Sequence, residues 1–443
     1  MTPLRQARDD RGWTKAKLVH LIEVCAKTKG VKLNKTTSSL SREVSYWESG
    51  QRSPQEPVAS LLCNVYGKSA LELGLNPTPD QARSDVGLIY SPSLLAAVES
   101  LTKLAVFDET RHTSVLNGSY SVDALNAACM DWLFRESRYE STDGRITEAD
   151  VLEVRSAAQM FDSLDRTIGG ETQRLLAVRF VRERLAPRLS VAGTDPASRA
   201  LFTAAAILCE VIGWMAYDAE RHSVAQRYFV QALRLAKDAD EPAYGAYVLA
   251  TMAHQALYLH RPDQALRFAL AARSNVHVST VPIVATEATL MAAQAYARLG
   301  NETDCRAMIL DAERLFAQVG AASTPEWASH WTDAVFATYV GVSWVDMGKP
   351  HEAYAPLKLA WNAAQGHPRR QVYSTGQLAK VAVLNGDIEQ AAGLGLAAVE
   401  SSNKQASQRS LQVIREVDVQ LKRYAKQPQV RDFRERARLL LAG

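Results

Sequence analysis

Along the first 75 positions the apolar residues recur at helical spacing, in four short runs separated by polar or glycine-containing breaks. Pro3 opens the first run, with Leu4, Ala7 and Arg8 on a short amphipathic helix that ends at Gly12. Thr14 can cap a second helix carrying Leu18, Leu21, Ile22 and Cys25 and ending near Gly30. A polar segment, Val31 to Ser39, leads to a third helix with Leu40, Val44 and Trp47 on one face, stopping before Gly50. That face is pinned to a core, which leaves Ser41, Arg42, Ser45 and Tyr46 able to reach base edges or phosphates in a major groove. Pro54 and Pro57 open a fourth helix through Val58, Leu61, Leu62 and Val65, and Ala70-Leu71-Glu72-Leu73-Gly74 closes the unit.

Leu75-Asn76-Pro77-Thr78-Pro79-Asp80 interrupts the pattern, because a helix cannot continue through it. Beyond it nearly everything is Ala/Leu-rich with a helical period. Residues 92–106, 121–137, 148–166 and 171–187 read as helices, with Gly118, Gly144 and Gly169-Gly170 in the connections. From about residue 200 the pattern of a tetratricopeptide repeat can be laid down five times: Gly213, Ala225, Phe229, Ala232; Ala253, Ala265, Ala269, Ala272; Ala293, Cys305, Ile309, Ala312; Gly341, Ala353, Leu357, Ala360; and Ala379, Ala391, Gly395, Ala398. Small residues there let two helices of a pair approach closely, and stacked pairs bury a core that no single pair could bury. Ala269 and Gly395 stand where a bulky residue is usual, so an irregular array is expected. Turns are expected at Gly300-Asn301, Gly348-Lys349-Pro350 and Asn385-Gly386-Asp387. The expected organisation is all-α: an N-terminal helix-turn-helix domain over 1–75, a linker over 76–91, a helical segment over 92–199, repeats over 200–405, and capping helices over 406–443.

Composition agrees with this. Of 443 residues, 47% are apolar and 22% charged, which excludes disorder over most of the length. Aromatic content of 7% with 23 Gly and 16 Pro argues against a turn-rich all-β chain. The net charge of +3 divides unevenly: residues 1–75 hold 12 Lys+Arg against 7 Asp+Glu, and the remainder 39 against 41, so a +5 head precedes a −2 body. A local surplus of this kind suits phosphate contacts. The five cysteines, Cys25, Cys63, Cys129, Cys209 and Cys305, lie far apart and read as reduced core thiols. The charged start, MTPLRQARDD, and the lack of any run of about 18 apolar residues predict a soluble cytoplasmic protein with no membrane contact. The nine histidines form no metal-ligand motif, and no nucleophile elbow, Walker loop or CxxC occurs, so neither an enzyme nor a metal or other cofactor is expected.

Val44-Ser45-Tyr46-Trp47-Glu48-Ser49-Gly50, followed by Pro54 and by Leu61-Leu62-Cys63-Asn64-Val65-Tyr66-Gly67, resembles the XRE (Cro/C1-type) helix-turn-helix. Carried over by that register, the base-reading positions fall on Ser41, Arg42 and Tyr46, while Lys29, Lys32, Lys35, Arg52 and Lys68 read as phosphate contacts. Trp47, Glu48 and Gly50 read as core anchor, cap partner and left-handed terminator. The stretch from Glu23 to Thr37 is longer than the tight turn of phage repressors, a departure shared with actinomycete members that carry a large C-terminal helical region. Phe161-Asp162-Ser163-Leu164-Asp165 and Gly213-Trp214-Met215-Ala216-Tyr217-Asp218 are similar to the same group, and the whole architecture resembles Gram-positive peptide-sensing regulators.

Such arrays present a concave face lined by the first helix of each repeat. Here it would collect Glu210, Trp214, Tyr217, Tyr247, His254, Tyr258, Glu287, Gln294, Arg298, Tyr373 and Lys380, aromatics alternating with polar groups in a manner that suits an extended peptide. The expected function is a transcriptional regulator that reads a double-stranded DNA operator as a homodimer and senses a peptide or small-molecule effector, as in quorum sensing. The alternative is a repeat scaffold or anti-regulator with a vestigial DNA-binding domain.

Overall fold

The computed structural model describes residues 2–28, 31–33, 36–52, 54, 57–68, 73–75, 85–136, 144–168, 170–275, 281–321, 324–402 and 408–442. Every regular element among them is helical, and the chain divides into two units, Met1–Ile89 and Tyr90–Gly443. The expected boundary residues 76–80, together with Ala70 to Glu72 and Gly169, lie outside the described residues.

The first unit contains α1 (Pro3–Asp10), α2 (Lys15–Thr28), α3 (Thr37–Ser49) and α4 (Val58–Tyr66). Leu4, Ala7, Leu18, Ile22, Leu40, Val44, Trp47, Leu61, Leu62 and Tyr66 form one core. Hydroxyls start the first three helices: Thr2, Thr14 and Thr36 accept from the backbone N–H of Arg5, Lys17 and Ser39. The Thr36 cap explains why α3 begins at Thr37, three residues before the apolar pattern does. At its other end Gly50 is left-handed (φ 77°), and the N–H groups of Gly50 and Gln51 close onto Trp47 and Tyr46 carbonyls.

The second unit opens with α5 (Leu94–Glu109), α6 (Thr113–Leu116), α7 (Val122–Phe134), α8 (Glu148–Ile168) and α9 (Gly170–Phe180). The helix expected over 171–187 is not continuous α. Pro187 lacks the N–H that an α-turn needs, and a π-turn over Val181–Leu185 precedes the short α10 (Ala186–Leu189). Ten helices follow in hairpins: α11 (Pro196–Asp218) with α12 (His222–Asp238), α13 (Pro242–Tyr258) with α14 (Pro262–Asn275), α15 (Pro282–Arg298) with α16 (Glu302–Phe316), α17 (Asp333–Asp346) with α18 (Pro350–Ala363), and α19 (Pro368–Leu384) with α20 (Ile388–Ser402). Two more, α21 (Gln408–Leu421) and α22 (Pro428–Ala442), pack on the last hairpin.

All twenty register positions are buried. Their smallness has a direct cause, since a Cβ at Gly213 would collide with the Phe229 ring and one at Gly341 with Leu357. At Gly395 the space left by the missing bulky residue is filled from outside the pair, by Phe433 of α22. The apolar α11 is long and apolar enough on average to cross a membrane, although Arg199, Glu210 and Asp218 interrupt it, and 78% of that apolar stretch is buried within the unit.

The turns repeat a left-handed residue. Glu220, Asp240 and His260 occupy it with φ of 58°, 55° and 55°, and Gly300, Gly348 and Gly386 occupy it later in the array. A residue with a Cβ costs roughly 1 kcal/mol there. Asp240→Gly should therefore raise stability by about 0.5–1 kcal/mol in urea unfolding, since the single ion pair lost, to Arg199 at 3.7 Å, is exposed. No gain would show that Asp240 is held by more than its backbone.

Candidate functional site

In the first unit the exposed face of α3 is set by its buried one. Leu40, Val44, Trp47 and Glu48 face the core, and helical geometry places Arg42 in the middle of the opposite face, exposed. Ser41 and Tyr46 are half-buried on its two shoulders. Arg52 lies over the Tyr46 ring, 5.2 Å from its centroid, so this cation sits beside the same face. Lys32 is exposed and Lys68 half-buried, while Lys29 and Lys35 lie outside the described residues.

Lys15 was missed by the sequence reading. Its ammonium donates to Ser45 Oγ at 3.0 Å, bringing a further cation to α3 from the start of α2. The earlier start of α3 also adds exposed Thr37 and Ser38 to its first turn. Part of the long Glu23 to Thr37 stretch is simply helix, since α2 runs to Thr28. Glu48 is not a cap partner: its side chain is 3% exposed and takes Arg8 Nε at 2.5 Å and a second guanidinium nitrogen at 3.2 Å, tying α3 to α1.

In the second unit none of the eleven residues expected on a concave face is exposed. Glu210, Tyr217, Tyr247, Glu287, Gln294 and Lys380 are buried and the other five half-buried. They come together on the first helices of the hairpins and bond largely within the unit. Thr251 donates to Glu210 at 3.2 Å, and Trp331 Nε1 donates to Glu287 at 3.1 Å. Burial pushes both carboxyl groups up to about 8, which keeps them protonated at neutral pH. The Tyr217 hydroxyl lies 3.0 Å from His254 Nδ1, and burial pulls this imidazole down to about 3, so it stays neutral. Tyr247 packs against Tyr244 and Trp327 with ring centroids 5.7 and 5.0 Å away.

Four further side chains meet this interior. Asp346, the last residue of α17, accepts from Gln294 at 2.9 Å and Arg298 at 2.7 Å, both on Oδ2. Arg409 of α21 lies over Trp214 and Tyr217, at 5.0 and 5.6 Å from their centroids, and pairs with Asp218 of α11 at 3.0 Å. Arg369 adds a second cation, 3.3 Å from Asp218 and 3.9 Å from Asp165. Arg415 reaches Glu220 at 3.1 Å, 195 residues earlier. The end of the array is thus clasped to its beginning by three arginines.

Where α13, α15, α17 and α19 end, a cleft of about 690 Å³ opens, lined by His260, Arg298, Asp346, Lys380, Glu416 and Gln420 among others. In comparisons with known proteins, no family model and no curated protein matches the chain.

Proposed function

We propose that the chain is a cytoplasmic, sequence-specific DNA-binding transcriptional regulator whose second unit, a tetratricopeptide-like array, senses an effector and mediates dimerisation. The observation that carries this reading is α3: one face locked into a core by Leu40, Val44, Trp47 and the Glu48–Arg8 pair, the other presenting Arg42 between Ser41 and Tyr46 in a +5 segment. Arginine is the side chain best suited to the two acceptors of guanine, and surrounding lysines would position the helix without specifying sequence. One such module reads few bases, so two copies on a two-fold site supply the rest of the specificity. In the second unit, the polar interior and the cleft support a sensor that acts by favouring one arrangement of the array over another.

Sequencing of genomic fragments captured by the full-length protein across a salt series tests this. An enriched motif is expected, and Arg42→Ala should weaken binding to it by about 1–3 kcal/mol and relax the preference at one base. No enriched motif for the wild type would favour a scaffold, and an unchanged motif for the variant would remove Arg42 from the readout.

A further inference from the structure

The groove that the first helices of the array would offer a ligand is filled by the chain itself. Residues 239–241 join α12 to α13 and 364–367 join α18 to α19, but 317–332 lie between α16 and α17. The surplus shows in the register too, since the step from Ala293 to Gly341 is eight positions longer than that from Ala253 to Ala293. A connecting segment ordinarily runs over the surface. Part of this one, 324–332, turns inward and runs back across the array. Trp331, 7% exposed, stacks on Tyr339 of α17 with ring centroids 5.3 Å apart and donates its Nε1–H to the buried Glu287 of α15. Four residues earlier the half-buried Trp327 stands edge-on to Tyr244 and tilted against Tyr247, both of α13, with centroids 5.0 Å from each. Glu326 accepts from Gln159 of α8 at 2.6 Å. From Trp331 back to Glu326 the segment thus meets α17, α15, α13 and α8 in turn. Its backbone bonds to itself, the N–H groups of Ala328, Ser329 and Trp331 reaching the carbonyls of Pro325, Glu326 and Ala328 at 2.9, 3.0 and 3.1 Å. Two indoles and a carboxylate link it to the groove. Those are contacts of the kind a separate peptide makes, with aromatic side chains seated in pockets and an N–H finding an acceptor.

We propose that residues 324–332 are an internal ligand: they occupy the groove over α13 and α15, and a peptide carrying two aromatic side chains four residues apart, one of them with an N–H donor, binds there by displacing them. The proposal rests on the reading of the second unit as a sensor, whose ligand class and resting contact it names. Tyr244 and Tyr247 take one ring, and Glu287 and Tyr339 take the other with its donor. A tethered competitor acts at an effective concentration on the order of millimolar, so an incoming peptide binds more weakly to the intact protein than to one whose segment has lost part of its grip. Release of the segment also undoes its link to α8, so binding alters which helices of the array are held together.

Fluorescence anisotropy of a labelled, end-blocked peptide with the sequence of residues 324–332 tests this on the full-length protein. Trp327→Ala empties the place over Tyr244 and Tyr247 and keeps the bond from Trp331 to Glu287. That variant should bind the peptide at least tenfold more tightly than wild type, and the same peptide with alanine in place of both tryptophans should bind neither protein. No saturable binding by Trp327→Ala, equal affinity of the two proteins, or equal binding of the tryptophan-free peptide would overturn the proposal. Amide hydrogen exchange reads the displacement in wild type, without any substitution. With the peptide at saturation, the Ala328 and Trp331 amides should exchange at least tenfold faster, and unchanged exchange would mean that the peptide binds elsewhere and the segment is a fixed part of the core. Displacement that follows the expected pattern but leaves the DNA affinity of the same preparation unchanged would sink the sensor reading and keep the internal ligand.

Discussion

Glu48→Ala is expected to destabilise the first unit by about 3 kcal/mol, because it takes the buried anion from the Arg8 guanidinium and leaves it only the exposed Asp9, 3.0 Å away. Arg8 is 11% exposed and Glu48 3%, and their bidentate contact is the main polar link between α1 and α3. Thr2 strengthens it by donating its hydroxyl to the Glu48 carbonyl at 2.8 Å, and Arg8 also donates to the Trp13 carbonyl at 2.5 Å. A folding unit of some 75 residues has only about 4–11 kcal/mol of total stability, so the loss is a large part of it. The pair itself is worth much less than its breakage. Replacing both partners, Arg8→Met with Glu48→Leu, should return most of the stability, since no charge is then stranded. Hydrogen exchange of the α1 and α3 amides in the full-length protein reads the effect locally. Equal protection in Glu48→Ala and wild type would show that the core alone holds α3 in place. On the proposed function, DNA affinity should fall with that protection, because a helix that opens part of the time binds only in its closed fraction.

The second large effect is a dependence of stability on pH that two buried acids create. Glu210 and Glu287 are raised to about 8, first by burial, and for Glu210 also by Asp162 and Glu287 nearby. In the unfolded chain a glutamate titrates near 4.3. Between those values the folded state holds protons that the unfolded state has released, so the stability these two groups contribute is full below about pH 4.3, declines as pH rises, and levels off above about 8. The slope is about 1.4 kcal/mol per pH unit for each group. Glu210→Gln combined with Glu287→Gln should remove this part of the slope and leave the variant more stable than wild type at pH 8, by up to about 10 kcal/mol at that slope for both groups, with little difference at pH 4.5. A glutamine oxygen can still accept from Thr251 and Trp331, so the hydrogen bonds survive the change. Urea unfolding midpoints at the two pH values measure it. Parallel pH profiles for the variant and wild type would mean that these carboxyl groups are ionised in the folded protein. His254 opposes this slope below about pH 6.5, where the unfolded imidazole is protonated and the folded one is not, but it does so equally in the variant and in wild type and cancels from their comparison.

The legible part of the fold was the part set by local spacing. The registers beginning at Gly213 and Gly341 needed only the steric fact that a pair of helices in contact excludes a Cβ at the crossing point, and Phe229 and Leu357 are the side chains that do the excluding. The start of α3 was misplaced because Thr36 to Ser39 carry no apolar residue, although Thr36 is a good cap and its presence could have moved the boundary. Asp346 was within reach of the sequence, since it occupies in its hairpin the position held by Tyr258 and Arg298 in theirs. Arg409, Arg415 and Arg369 were not, because nothing along the chain says that helices more than 150 residues apart will meet. The ion pair between Arg8 and Glu48 was hidden for the same reason at shorter range, 40 residues.

The clasp formed by those arginines changes what kind of object the array is. A stack of hairpins that touch only their neighbours can gain or lose a member at modest cost, which is how such proteins vary in length. Here Glu220 and Asp218 have to meet Arg415 and Arg409, so the count of hairpins between them has a correct value, as the number of links in a fastened bracelet does. Deleting one internal hairpin would leave every remaining neighbour contact possible and still strand these charges. Length variation in proteins built this way is therefore confined to the turns and to the helices outside the fastening.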